Sequence, residues 1–120
     1  MKLPHHNQAI VPEQKIVAYL LSLTHEGGRS KAIFFTGFGF TAARWEEFAD
    51  ALKQHAGANE VAETEDTDFG VTYVVIGPIA TPDGRNPVVR VVWFIETGET
   101  FPRLVTAYPQ KGAAGDVARA

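Results

Sequence analysis

In the first half of the chain, apolar residues recur at helical spacing; in the second half, they alternate or run together. Pro12 precedes E13-Q-K-I-V-A-Y-L-L-S-L23, where Ile16, Tyr19, Leu20 and Leu23 fall at i, i+3, i+4 and i+7. That spacing predicts a helix with one apolar stripe, and a proline at its first turn with Glu13 at its positive end suits the start. Gly27 and Gly28 break the pattern. Ser30 is a residue type that caps a short helix over residues 31–35, ending near Gly37 and Gly39. Thr41 suits the cap of a third helix, from residue 42 to about 55, with Trp45, Phe48, Ala49 and Leu52 as its stripe and Gly57 as its stop.

After Gly57 the period changes. Residues 60–66 alternate apolar and acidic side chains and predict an exposed edge strand. Residues 71–76 form a second strand pattern, and Asp83-Gly84 centres a turn between Pro78 and Pro87. Residues 88–95 are the most apolar strand, suited to a central place in the sheet. Thr97-Gly98-Glu99 predicts a turn, and residues 103–108 a last strand closed by Pro109. Strict alternation there sends Leu104, Thr106 and Tyr108 to one face and Arg103, Val105 and Ala107 to the other. The expected class is α+β: about three N-terminal helices on one face of a C-terminal antiparallel meander of about four strands. Residues 1–10 lack periodicity and read as a flexible arm, residues 11–110 as one domain, and residues 111–120 as a disordered tail.

Composition narrows the function classes. A 120-residue chain with 45% hydrophobic and 21% charged residues suits one globular core. It has no cysteine, which removes disulfides, thiol nucleophiles and thiolate metal sites. No apolar run approaches the roughly 20 residues that span a bilayer, and M1-K-L-P-H-H-N-Q-A-I-V-P-E-Q-K15 holds no signal-peptide core. The expectation is a cytoplasmic protein that does not enter membranes. A net charge of −3 is the wrong sign for binding nucleic acid through bulk charge. A local basic cleft remains open to it, because Arg29, Lys31, Arg44, Arg85, Arg90 and Arg103 come from separate segments while much of the acid lies in residues 60–68.

The densest chemistry is H25-E-G-G-R-S-K31. An imidazole accepts or donates a proton near neutral pH, so His25 is a candidate acid or base. The plainer alternative is a cation at the end of the first helix. Gly27, Gly28, Arg29 and Ser30 before Lys31 suit a loop whose backbone approaches an anion, or equally a glycine-rich helix–helix turn with solvated basic residues. The spacing is not that of a P-loop. Phe34 to Phe40 is aromatic core first and a base-stacking surface second. Arg90, inside the most apolar strand, needs either a carboxylate such as Glu96 or Glu99 or a polar groove. Thr106 and Tyr108 are candidate hydrogen-bond donors into a cleft, or ordinary strand formers. No HExxH or HxxxH pattern points to a metal and no GxSxG to a serine hydrolase, so no metal or cofactor is expected.

The order of Y-L-L-S-L-x-H-E-G-G-R-S-K-A-I-F-F, a helix, a strand with V-x-V-V-W and a closing P-R-L-V-T-A-Y-P resembles a family of small bacterial domains found alone and at the C-termini of polymorphic toxins. Through its helix-then-meander order and T-x-Y-P strand, that family is similar to the barnase–EndoU–colicin–RelE superfamily, mostly metal-independent ribonucleases. The resemblance implies an RNA substrate, a cognate antitoxin or immunity protein, and a site on His25, Gly27, Gly28, Ser30 and Lys31 with Arg103, Thr106 and Tyr108. In such a site His25 would act as base, Lys31 and Arg90 would stabilise phosphoryl charge, Thr106 would orient the phosphate, and Tyr108 or Lys31 would protonate or shield the leaving oxygen. No second strand histidine matches the pair of EndoU-like enzymes.

Two other functions fit the same residues. A protein-interaction module would use the basic loop and pair its strand at residues 60–66 with another chain. A small-molecule binder would enclose a pocket reached by Phe34, Phe38 or Trp45. An enzyme requires His25, Lys31, Arg90 and Thr106 to converge.

Overall fold

The computed structural model describes residues 1–110; the expected tail at 111–120 lies outside the described residues. After a 3₁₀ turn at His6–Gln8, an α-helical turn at Glu13–Lys15 continues as a π-helical stretch, Ile16–Leu20; these last two together are α1. Helix α2 spans Arg29–Gly37 and α3 spans Trp45–Ala58. Strands β1 (Val61–Thr67), β2 (Gly70–Pro78), β3 (Val88–Glu96) and β4 (Arg103–Pro109) follow as an antiparallel meander in the order β1-β2-β3-β4. The α+β class and the order of helices before strands are as the hydrophobic pattern implies.

The core lies between the helices and one face of the sheet. Val75, Val89, Val91, Trp93, Leu104 and Ala107 face Ile16, Leu20, Phe35, Phe40, Phe48 and Leu52. Phe35, Phe40 and Phe48 form its aromatic centre, with Phe48 4.7 Å from Phe35 and 4.5 Å from Phe40 between ring centroids. Two residues of the aromatic run are thus buried fill, while Phe38 is covered by the Arg85 guanidinium at 4.3 Å, and Arg85 also donates to the α2-terminal carbonyl of Gly37.

Several details depart from the sequence pattern. The first helix stops at Leu20, so Leu23 leaves the stripe and stands exposed. Gly28, not Ser30, occupies the N-cap of α2. Thr41 caps a 3₁₀ turn, Ala42–Arg44, accepting from the Arg44 amide, and α3 begins only at Trp45. Residues 1–10 are no loose arm: Leu3 and Ala9 are buried, Ile10 donates to Pro102 O at 2.8 Å, and Ile10 bridges Arg103 in parallel. Short, irregular contacts of this kind leave no periodic signature.

Register decides which side chains meet. Val92 pairs with Thr106 but Trp93 with Leu104, so Val105 is the extra residue of a bulge. The bulge breaks the alternation: Leu104 joins Ala107 in the core, while Thr106 and Tyr108 pair with Val92 and Arg90 on the other face.

His55 is the buried polar residue of the core, 2% exposed. Its Nε2 lies 3.0 Å from the Gly77 carbonyl, to which it donates, and its Nδ1 is buried with no hydrogen-bond partner among the described residues. Desolvation holds its ionisation below the ordinary 6.5, outweighing the hydrogen bonding that favours the charged ring. The unfolded chain therefore takes up this proton first. The stabilisation is complete above about pH 6.5 and is lost as pH falls below it, by at most about 1.4 kcal/mol per pH unit. Urea unfolding at pH 7.5 and 5.5 should show that loss in the wild type and a much smaller one in His55→Gln.

Candidate functional site

The site forms where α1 and α2 meet the free edge of β4. Gly28 makes the meeting possible: a Cβ there would stand 2.2 Å from the backbone oxygen of Tyr19. With α2 seated this closely, Lys31 in its first turn reaches both α1 and β4. Lys31 Nζ donates to Thr106 Oγ1 at 2.9 Å and to the Tyr19 hydroxyl. Tyr19 and Thr106 hydroxyls lie 3.3 Å apart and close the triangle. Lys31 Nζ also lies 4.9 Å from the Tyr19 ring centroid and Lys15 Nζ 5.5 Å, so two ammonium groups attend one phenol.

Burial raises the ionisation of the Tyr19 phenol. The hydrogen bonds with Lys31 and Thr106 and the charges of Lys31 and Lys15 outweigh it, and the net effect is a pKa below the ordinary 10.0. His25 packs edge-on against the same ring, centroids 5.1 Å apart. Its Nδ1 accepts from the Gly28 amide at 3.1 Å.

Tyr19, Thr106 and His25, with Gln14, Lys15 and Val105, line an open groove of about 720 Å³. These lining residues include a lysine and no carboxylate, which suits an anion. A smaller recess of about 280 Å³ lies between α3 and the loop after β2. Glu47 and Asp50 make it acidic, and it carries none of the candidate residues. Phe34, Phe38 and Trp45 line neither; of the aromatic run, Phe40 lines the smaller recess.

The other candidates divide. Tyr108 stands between two cations, with Lys31 Nζ 5.9 Å and the Arg90 guanidinium 5.8 Å from its ring centroid. Arg90 Nε donates to the Tyr108 hydroxyl at 3.2 Å, and its other end pairs with Glu63 Oε2 of β1 at 2.9 Å. The carboxylate that satisfies Arg90 is therefore Glu63, rather than Glu96 or Glu99. The hydrogen bonds with Tyr108 and Glu63 raise the Arg90 pKa above its already high ordinary value. Arg90, Tyr108 and Lys31 do not line the groove; Lys31 meets it through its hydrogen bonds to Tyr19 and Thr106.

The Gly28 amide is used by His25 and is not free for an anion. Arg29 and Ser30 lie exposed on the first turn of α2, and Gly27 is exposed beside His25. Arg103 is exposed at the start of β4, three residues before Thr106. No hydrogen bond or ion pair among the described residues joins Arg29, Ser30 or Arg103 to the Lys31 cluster. Tyr19, the centre of the cluster, falls on the apolar stripe of the first helix and looks like core in the sequence. Only its phenolic oxygen, among aliphatic neighbours, marks it.

A family model covers residues 2–111 of the chain. The chain belongs to DUF6883, a domain of unknown function. No curated protein matches it. Among solved structures, this DUF6883 chain is similar to a chain of the contact-dependent growth inhibition toxin–immunity protein complex from Klebsiella pneumoniae 342. The TM-score is 0.65 at 15% identity, over 84% of this chain and 99% of that one. At that identity the likeness is one of fold. Among the described residues of the DUF6883 chain, no helix is long and apolar enough to cross a membrane.

The geometry separates the two glycines. Gly28→Ala would drive α2 off Tyr19, with a cost at the upper end of overpacking, about 3 kcal/mol. Gly27→Ala meets only His25 side-chain atoms at 3.2 Å and beyond, apart from a more distant Tyr19 ring carbon, and should cost much less. Thermal unfolding of the two variants beside wild type measures the difference.

Proposed function

We propose that this chain is a metal-independent, ribonuclease-like toxin domain that cleaves RNA through a 2′,3′-cyclic phosphate. The observation that carries the proposal is the Lys31 ammonium held against the hydroxyls of Tyr19 and Thr106, two residues that line a groove whose lining includes no carboxylate. Fold likeness to a chain of a toxin–immunity complex supports the toxin part. A cognate immunity protein is the partner this reading implies.

RNA cleavage of this kind needs no bound metal. The 2′-oxygen attacks the adjacent phosphorus, the P–O5′ bond breaks, and the 2′-proton leaves as the 5′-oxygen gains one. Most of the catalysis then lies in stabilising charge on the phosphoryl oxygens. Lys31 is placed to do this, with Thr106 orienting the phosphate and His25 at the groove wall. Arg90, already paired with Glu63, acts through Tyr108 by bracing its ring beside Lys31. With a net charge of −3, the chain recognises RNA locally in the groove and not through its overall field.

A second reading, a protein-interaction module without catalysis, draws on a different region. Strand β1 is a free sheet edge, exposed along nearly its whole length, and Phe69 in the following turn is 77% exposed.

The deciding assay is cleavage of total RNA and tRNA by the purified protein in EDTA, with product ends analysed for cyclic phosphate. Wild type should cleave, and Lys31→Ala, shown to be folded, should lose roughly 100-fold or more of the rate. Absence of cleavage by wild type defeats the ribonuclease reading and favours the interaction module.

A further inference from the structure

His25 is the residue whose chemistry first suggests a base, yet its ring is already committed. The Gly28 amide donates to Nδ1, and a nitrogen that accepts an N–H carries no proton. In the neutral ring the proton then sits on Nε2. The nitrogen left for a ligand is a donor, and a base must accept.

Tyr19 shows the opposite pattern. An ammonium can only donate, so the Lys31 contact makes the phenolic oxygen an acceptor. The Thr106 hydroxyl lies 3.3 Å from that oxygen. The ammonium groups of Lys31 and Lys15 stand 4.9 and 5.5 Å from the ring centroid. Each of these contacts favours the phenolate over the phenol. Tyr19 also lines the groove, so its oxygen is within reach of a ligand there.

We infer that Tyr19 and Lys31 are the proton-transfer pair of this site, Tyr19 the base and Lys31 the acid, with His25 a fixed Nε2–H donor. The inference rests on the ribonuclease reading above. In the active form of the pair Tyr19 is the phenolate and Lys31 the ammonium. Tyr19 takes the proton of the 2′-hydroxyl as the O2′–P bond forms. Lys31 gives a proton to the 5′-oxygen as the P–O5′ bond breaks. Tyr19 is then a phenol and Lys31 an amine, in direct hydrogen-bond contact. Transfer of the proton from Tyr19 to Lys31 restores the starting pair with no outside acid or base. The contacts with Lys31, Thr106 and Lys15 that lower the Tyr19 pKa agree with this cycle, because they make the phenolate accessible at lower pH than in a free tyrosine.

The test compares wild type, Tyr19→Phe, His25→Gln and a protein carrying 3-fluorotyrosine at position 19, all checked for folding. Tyr19→Phe leaves the Lys31–Thr106 bond in place and should lose roughly 100-fold or more in kcat. His25→Gln keeps a side-chain N–H donor and should lower kcat less than Tyr19→Phe, with the rising limb of the kcat–pH profile where wild type has it. Fluorination acidifies the phenol and should move the rising limb of the kcat–pH profile to lower pH. Tyr19→Phe within tenfold of wild type, or an unmoved limb, overturns the assignment of Tyr19 as base while leaving the ribonuclease reading intact. A readout independent of activity is the ¹³Cζ titration of Tyr19 by NMR, whose midpoint should rise in Lys31→Met. An unchanged midpoint overturns the pairing. Wild type that cleaves no RNA overturns the ribonuclease reading and with it the catalytic roles, and the titration then decides whether the pair itself exists.

Discussion

Gly28 lies against the backbone oxygen of Tyr19 with no space for a Cβ between them. Everything at the candidate site follows from that approach. It fixes the start of α2 on the π-helical turn of α1, and so brings Lys31 within bonding distance of Tyr19 and Thr106. It also places the Gly28 amide under His25 Nδ1, which sets the orientation of that ring. The wider winding of Ile16–Leu20 contributes: it keeps Ile16 and Leu20 in the core while Tyr19 turns toward the edge strand. One backbone contact thus positions side chains from two helices against a third element, β4.

The sheet supplies the other half. The bulge at Val105 allows Leu104 and Ala107 both to be buried while Thr106 turns to the groove. Beyond it, Tyr108 pairs with Arg90, and Arg90 reaches across two strands to Glu63. An arginine in the most apolar strand is tolerated because both ends of its guanidinium are satisfied and its side chain keeps partial exposure, 20%. The pair lies near the surface, so its value is in holding Tyr108 more than in net stability.

Much of this was legible in the chain, and the failures have physical causes. Helical spacing and period-two runs report burial against a flat or cylindrical partner, so the three helices, the four strands and the inner place of β3 could be read from them. The bulge could not, since one extra residue in Arg103–Pro109 leaves the composition of a strand unchanged. The N-terminal segment was invisible because Leu3 and Ala9 are buried through isolated contacts with no period. Among site residues, Lys31, Thr106 and His25 stood out by chemical type, and the structure gathers them. Arg29, Ser30 and Arg103 stood out for the same reason and remain at the periphery, because charge in a sequence says nothing of direction. Tyr19 was hidden by its own periodicity: a residue at a core position of a helix is read as core, and only Lys31, on the next helix, gives its hydroxyl a role.

The distribution of charge explains how an acidic chain can present a groove to an anion. The carboxylates of residues 60–68 follow β1, and the groove follows β4, the opposite edge of a four-stranded sheet. Three strand spacings separate the two edges, about 14 Å. That exceeds the screening length of about 8 Å at physiological salt, so exposed acid on β1 is felt only weakly at the groove. Glu63, the β1 carboxylate paired with Arg90, is neutralised there. Lys31, half-buried against Tyr19 and Thr106, is screened less than a surface lysine. Under the ribonuclease proposal, repulsion at β1 and attraction near β4 act together on the RNA: they leave one edge of the molecule open to it and orient its approach to the Lys31 cluster.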